Sequence, residues 1–112
     1  MKKTIGLMLL LFLAACSSKL DPFAQCVTDS GATFYGAFWC PHCANQKQLF
    51  GSSIKNIDYV ECSLPDRSGQ TAVCNSMNIT NYPTWVFADG SRVTGTQQLA
   101  TLAQKTGCQL PA

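Results

Sequence analysis

Charge is what this sequence has least of. Asp, Glu, Lys and Arg together make up 12% of its 112 residues, against 46% hydrophobic residues. That balance excludes a disordered chain and offers no basic surface for nucleic acid. Histidine is scarcer still, His42 being the only one. With no second pair of closely spaced cysteines to add donors, a four-ligand zinc site is disfavoured. Long apolar runs are missing too. The longest, Ile5 to Ala15, falls short of the ~20 residues that a membrane-spanning helix needs. There are no internal repeats or low-complexity tracts, and the length suits one small domain.

What the chain does have is cysteine, seven in all. The first closes the opening segment "MKKTIGLMLLLFLAACSSK", which has a basic start, an apolar run and small residues before Cys16. That is the pattern of a secretory signal. Leu13-Ala14-Ala15-Cys16 resembles the bacterial lipobox, in which the cysteine is acylated and becomes the new N-terminus. The expectation is a lipoprotein signal peptide over 1–15, a lipidated N-terminus and tether over 16–24, and a folded domain over 25–112. An ordinary signal peptide and an uncleaved anchor are the alternatives. Cleavage would remove Lys2 and Lys3 and leave the side-chain charges balanced, so no patch argues for an acidic partner. The expected location is the cell envelope, on the periplasmic side and lipid-anchored to a membrane. Ser17 lacks the aspartate that retains some lipoproteins at the inner membrane, which favours the outer one in a Gram-negative host. Disulfides persist in that compartment, and a small core gains from them.

The spacing predicts a tether from Ser17 to about Pro22, then a short helix or turn from Phe23 to about Ser30. "TFYGAFW" (33–39) is β-rich and apolar without alternation, as a central strand buried on both faces would be. Pro41 to Phe50 carries helix formers and stops at Gly51, with proline in the first turn, where it costs nothing. "IDYVEC" (57–62) reads as a second strand, "LPDRSG" as a loop and "QTAVCNSMN" (70–78) as a helix. "TWVFAD" (84–89), the turn "DG" and "SRVTG" (91–95) read as a hairpin. "TQQLATLAQKTG" (96–107) closes with a helix whose Leu99, Leu102 and Ala103 follow helical spacing. Met77, Trp85 and Phe87 are candidate core. A βαβ start followed by ββα implies an α/β sandwich with a mixed sheet, and a fold alone fixes no function.

The chemistry is concentrated in "FWCPHC". Cys40 stands at a predicted helix N-terminus, where unpaired N–H groups and the helix dipole favour a thiolate. A thiolate attacks disulfides through a mixed-disulfide intermediate, and Cys43, one turn on, lies on the side needed to resolve it. His42 adds a donor that would stabilise the thiolate, unless it is only a solvated loop side chain. A stabilised thiolate favours the reduced form and makes the disulfide more oxidising. A c-type haem site would need histidine at 44, which is Ala44. A purely structural bridge across two residues is sterically tight.

"FWCPHC", followed some forty residues later by "NYPTWVFADG", resembles the thioredoxin superfamily over roughly Ala32 to Thr106. The resemblance implies a thioredoxin-like three-layer sandwich, with a mixed central sheet of about four strands flanked by helices. It implies Cys40 as nucleophile and Cys43 as resolving cysteine, with Pro41 and His42 tuning the thiolate. Trp39 would line the site, with strand packing as the equal alternative for an aromatic there. Pro83 would be a cis-proline packed on the active pair, with Tyr82 offering backbone hydrogen bonds to a peptide; an ordinary trans turn is the alternative. The Pro-His dipeptide resembles the periplasmic disulfide-donating oxidases. The whole pattern is similar to the thioredoxin-like domain fused to bacterial vitamin K epoxide reductase homologues, which passes electrons to a membrane quinone-linked partner. One departure stands out: the buried acid that many relatives carry six positions before the first active cysteine is Phe34 here. Glu61 could replace it, although its place at a strand end suits a solvent-facing side chain better.

Cys26, Cys62, Cys74 and Cys108 remain, and four cysteines allow three connectivities. The resemblance and the loop they flank favour Cys62–Cys74, leaving Cys26–Cys108; one pair acting as a second redox couple is the alternative. The expected function is thus exchange of disulfides with extracytoplasmic cysteine-containing proteins, oxidation favoured. The redox-active Cys40–Cys43 disulfide would serve without a cofactor, in a monomer coupled in trans to a vitamin K epoxide reductase-like membrane partner. The competing reading is a lipoprotein that binds or delivers a soft metal, Cu(I) or zinc, through Cys40, Cys43 and His42.

Overall fold

The computed structural model describes residues 18–112; the expected signal peptide and Cys16 lie outside them. Helix α1 (Asp21–Asp29) leads into strand β1 (Thr33–Gly36), helix α2 (Pro41–Phe50) and a 3₁₀ segment (Gly51–Asn56). Strand β2 (Tyr59–Glu61), helix α3 (Ala72–Ser76), strands β3 (Thr84–Val86) and β4 (Arg92–Thr94), and helix α4 (Leu99–Thr106) follow. The sheet runs β2-β1-β3-β4, with β1 and β2 parallel and the other two pairings antiparallel. This is the thioredoxin-like α/β arrangement, a mixed four-stranded sheet between layers of helix.

Alternation along β1 sorts the two faces. Phe34 joins the larger core with Phe23, Val27, Phe50, Trp85 and Leu102, drawn from α1, α2, β3 and α4. Tyr35 points the other way, into a smaller core with Cys62, Cys74 and Ile79 beneath α3. In the larger core Phe34 stacks on Trp85, with ring centroids 5.1 Å apart. Gln46 is fully buried among these apolar groups, and both the oxygen and the nitrogen of its amide are hydrogen-bonded. Its oxygen accepts from Trp85 Nε1 at 3.1 Å and Gln97 N at 2.7 Å, while its nitrogen donates to the Gln97 carbonyl at 3.0 Å. A buried amide is stable only when so satisfied, and here it stitches α2 to β3 and to the segment after β4.

Several elements are shorter than their sequence patterns, for identifiable reasons. The tether expected over 16–24 ends early: α1 opens at Asp21 with Pro22 in its first turn, and Phe23 and Ala24 are buried in the core. The domain therefore begins before residue 25. The strand expected over 33–39 stops at Gly36, because the Phe38 amide leaves the ladder and donates to Glu61 Oε2 at 3.2 Å. The 70–78 helix shrinks to five residues. Gln70 bridges back to Ser63, and Asn78, at φ +54°, breaks the far end. The last helix starts only at Leu99, since the Gln97 side chain bonds the Thr94 and Gly95 carbonyls.

Candidate active site

Where β1 hands over to α2, the turn Ala37-Phe38-Trp39 places Cys40 as the N-cap of the helix and Pro41 at its first position. Cys40 has extended backbone angles, its amide donates to the Ala37 carbonyl at 3.0 Å, and its carbonyl accepts from Ala44 N at 3.0 Å. Both Cys40 and Cys43 are buried free thiols. Opposite them the Tyr82–Pro83 peptide bond is cis, and Cys40 Sγ donates to the Tyr82 carbonyl across 3.7 Å. A peptide carbonyl aimed at the outer sulfur, beside a helix N-terminus, is a place where a thiolate and an incoming chain can meet.

The two sulfurs differ in surroundings. Cys43 has no solvent exposure, and burial pushes its thiol up to about 12; Cys40 nearby adds to this, while the Ala37 backbone and the Lys47 ammonium oppose it. Gly36 supplies the room for that sulfur. A Cβ built there would lie 3.0 Å from Tyr59 Cε2, 3.1 Å from Cys43 Sγ and 3.2 Å from Phe34 Cε2. Gly36→Ala is therefore expected to destabilise the dithiol form by about 1–3 kcal/mol, the usual cost of overpacking. Urea unfolding of the reduced variant checks it, and an unshifted midpoint would show that the crowding relaxes without cost.

The remaining residues singled out from sequence fall at different distances from the chemistry. Trp39 forms a rim: its ring meets Tyr82 edge-on at 5.9 Å, and its Nε1 donates to Ser63 Oγ at 2.8 Å. His42 is exposed in the first turn of α2, and its carbonyl accepts from Thr96 Oγ1 at 2.9 Å. Cys62 is bonded to Cys74 and Cys26 to Cys108. The first bridge holds the loop that carries Ser63 beside Trp39; the second ties α1 to the chain just past α4. Among the described residues no group of three or more His, Cys, Asp or Glu side chains is placed to hold a metal ion.

Three contributors went unrecognised in the sequence, and one was misjudged. Phe38 is about half exposed beside the site, with the Arg67 guanidinium 5.4 Å from its ring centroid. Ser63 and Gly36 have the roles just described. Glu61, expected to face solvent, is half-buried and fully engaged. Its Oε2 accepts from Phe38 N at 3.2 Å and Ser63 N at 3.0 Å, and its Oε1 accepts from the Tyr59 hydroxyl at 3.0 Å. The available signal was strand parity, which puts Tyr59 and Glu61 on one face.

Fold and site together define a class: a thioredoxin-like domain with a Cys-x-x-Cys dithiol at a helix N-terminus, facing a cis-proline. No protein-family model matches the chain. Among curated proteins it is 38% identical over 108 residues to the thiol-disulfide oxidoreductase LTO1 of Arabidopsis thaliana, covering 88% of this chain. The chain spans 28% of that relative's length. Among solved structures, the oxidised mitochondrial thioredoxin 3 of Saccharomyces cerevisiae aligns at a TM-score of 0.48 and 18% identity, over 76% of this chain and 85% of that one. Oxidised glutaredoxin 2 of Chlamydomonas reinhardtii aligns at 0.44 and 19% identity, over 81% and 95%.

Proposed function

We propose that this chain is a thiol–disulfide oxidoreductase of the cell envelope that donates its Cys40–Cys43 disulfide to cysteine-containing proteins. The observation that carries the reading is the pair of free thiols at the head of α2, with Cys40 against the Tyr82 carbonyl at the cis-proline. The name of the Arabidopsis relative supports the same exchange chemistry. A substrate thiolate attacks Cys40 Sγ of the disulfide, Cys43 leaves, and a second substrate thiolate releases the product as a new disulfide with both enzyme thiols reduced. Pro41 and His42 in the intervening turn favour donation over reduction. The lipobox-like Leu13-Ala14-Ala15-Cys16 supports acylation at Cys16 and a periplasm-facing anchor, with the outer membrane favoured by Ser17. A membrane-embedded, quinone-linked partner of the vitamin K epoxide reductase type would reoxidise the dithiol.

Equilibration with glutathione buffers, with the bridge mapped by mass spectrometry, tests this. The expected reduction potential lies at roughly −120 to −180 mV, the range of disulfide donors and isomerases. A value near −270 mV, about that of thioredoxin, would reverse the direction. Failure of Cys40 and Cys43 to form a bridge at any buffer ratio would remove the reading altogether.

A further inference from the structure

The step that closes the active disulfide needs a proton to leave Cys43, and the sulfur sits where thiols hold their protons. Burial pushes that thiol up to about 12, so near neutral pH the proton leaves only if a neighbouring group takes it. The residue six positions before Cys40 offers no help, because Phe34 is apolar and fully buried against Trp85. The polar group lies one strand over. Tyr59 is the register partner of Phe34 on β2, their rings meeting edge-on at 4.9 Å. Tyr59 Cε2 and Cys43 Sγ both crowd the same point beside Gly36, at 3.0 and 3.1 Å from a Cβ built there. The Tyr59 hydroxyl donates to Glu61 Oε1, and Glu61 is the register partner of Gly36. Lys47 Nζ stands 4.1 Å from the Tyr59 ring centroid.

We propose that Tyr59 and Glu61 are the proton-accepting pair for Cys43. With a partner protein held as a mixed disulfide on Cys40, the Cys43 S–H bond breaks and its proton reaches Glu61 by way of the Tyr59 hydroxyl. Cys43 Sγ attacks Cys40 Sγ, the Cys40–Cys43 bond forms, and the bond to the partner's sulfur breaks. The partner leaves as a thiolate with the electron pair. In the donating direction the same proton returns from Glu61 through Tyr59 to the departing Cys43 sulfur. Burial and the neighbouring carboxylate hold the Tyr59 phenol above its ordinary value, so the tyrosine relays the proton and does not store the charge. The titratable groups that interact with Cys43 are Cys40 at the N-cap of α2, Lys47 from α2, Tyr59 from β2 and Tyr82 ahead of β3, with Glu61 of β2 bonded to the Tyr59 hydroxyl. Of these, Glu61 is the only carboxyl group, and it already takes a hydrogen bond from the relay.

The proposal deepens the redox reading and rests on it, and one experiment separates their failures. Reduced full-length protein is mixed with excess dithiobis(nitrobenzoate) in a stopped-flow cell, and release of nitrothiobenzoate is followed. Attack by Cys40 releases the first equivalent; resolution by Cys43 releases the second. Wild type, Glu61→Gln and Tyr59→Phe are compared across roughly pH 6 to 9. Tyr59→Phe keeps the ring packed on Phe34 and loses only the hydroxyl. In both variants the second phase is expected to slow by at least about tenfold near neutrality and to climb about tenfold per pH unit, as direct loss to hydroxide requires. The first phase stays as in wild type. Second-phase profiles that superimpose on wild type overturn the proposal, and so does equal slowing of both phases with unchanged pH dependence, which is what lost packing alone would give. A wild type that releases no second equivalent fails the redox reading itself.

Discussion

Replacing Cys40 with serine is expected to abolish disulfide exchange, a loss of roughly a thousandfold or more, the scale on which removal of a nucleophile registers. The attacking species in exchange is a thiolate, and a serine hydroxyl does not ionise in the same range. Cys40 is the sulfur at the N-cap of α2 and against the Tyr82 carbonyl, and of the two buried cysteines it is the one that keeps some exposure, 7% against none. Cys43, without solvent exposure, cannot take over the attack. The companion variant Cys43→Ser behaves differently. It keeps the first attack, loses resolution, and accumulates a mixed disulfide with its substrate. Insulin reduction with dithiothreitol as electron source reads the first effect, and non-reducing electrophoresis of the Cys43→Ser protein reads the second. Cys40→Ser activity equal to wild type, or a Cys43→Ser variant that traps nothing, would undo the assignment of nucleophile and resolver.

The next largest effect is on stability. Removing the Cys26–Cys108 bridge by a double serine substitution is expected to cost about 4.5 kcal/mol on the chain-entropy account, since the bonded residues are 82 apart in sequence. That is a large share of the roughly 5–15 kcal/mol that separates a native domain from its unfolded chain. The bridge joins α1 to the segment beyond α4, so its loss also frees both ends of the larger core. The Cys62–Cys74 bridge closes a separation of only 12 residues, and the same account gives about 2.8 kcal/mol. Its removal is expected to loosen the Ser63 loop and with it the Trp39 rim. Urea unfolding of the two double variants, each with Cys40 and Cys43 reduced, orders them. Equal midpoints would mean that loop closure is not what these bridges contribute.

The element order and the placing of the Cys-x-x-Cys pair at a helix N-terminus were legible in the chain because both rest on local signals. Helix formers behind Pro41, the stop at Gly51 (φ +58° in the structure) and the Asp89-Gly90 turn are short-range chemistry. The apolar run 33–39 marked the central strand for the same reason, although the strand itself ends at Gly36. Boundaries failed where side chains far apart in sequence compete for backbone groups. Glu61 takes the Phe38 amide out of β1's ladder, and Gln46 holds Gln97 out of α4. No propensity encodes either contact.

The sequence by itself determined a small α/β domain with a Cys-x-x-Cys pair at a strand-to-helix junction, because spacing and capping residues act over a single turn. It also determined that an acid is missing at position 34. Only the tertiary structure decided what stands in that place. Parallel pairing of β1 and β2 sets Tyr59 beside Phe34 and Glu61 beside Gly36, and the absence of a side chain on Gly36 lets the Cys43 sulfur and the Tyr59 ring share one space. That arrangement depends on strand register, which is fixed by long-range burial of both sheet faces and not by any residue's immediate neighbours.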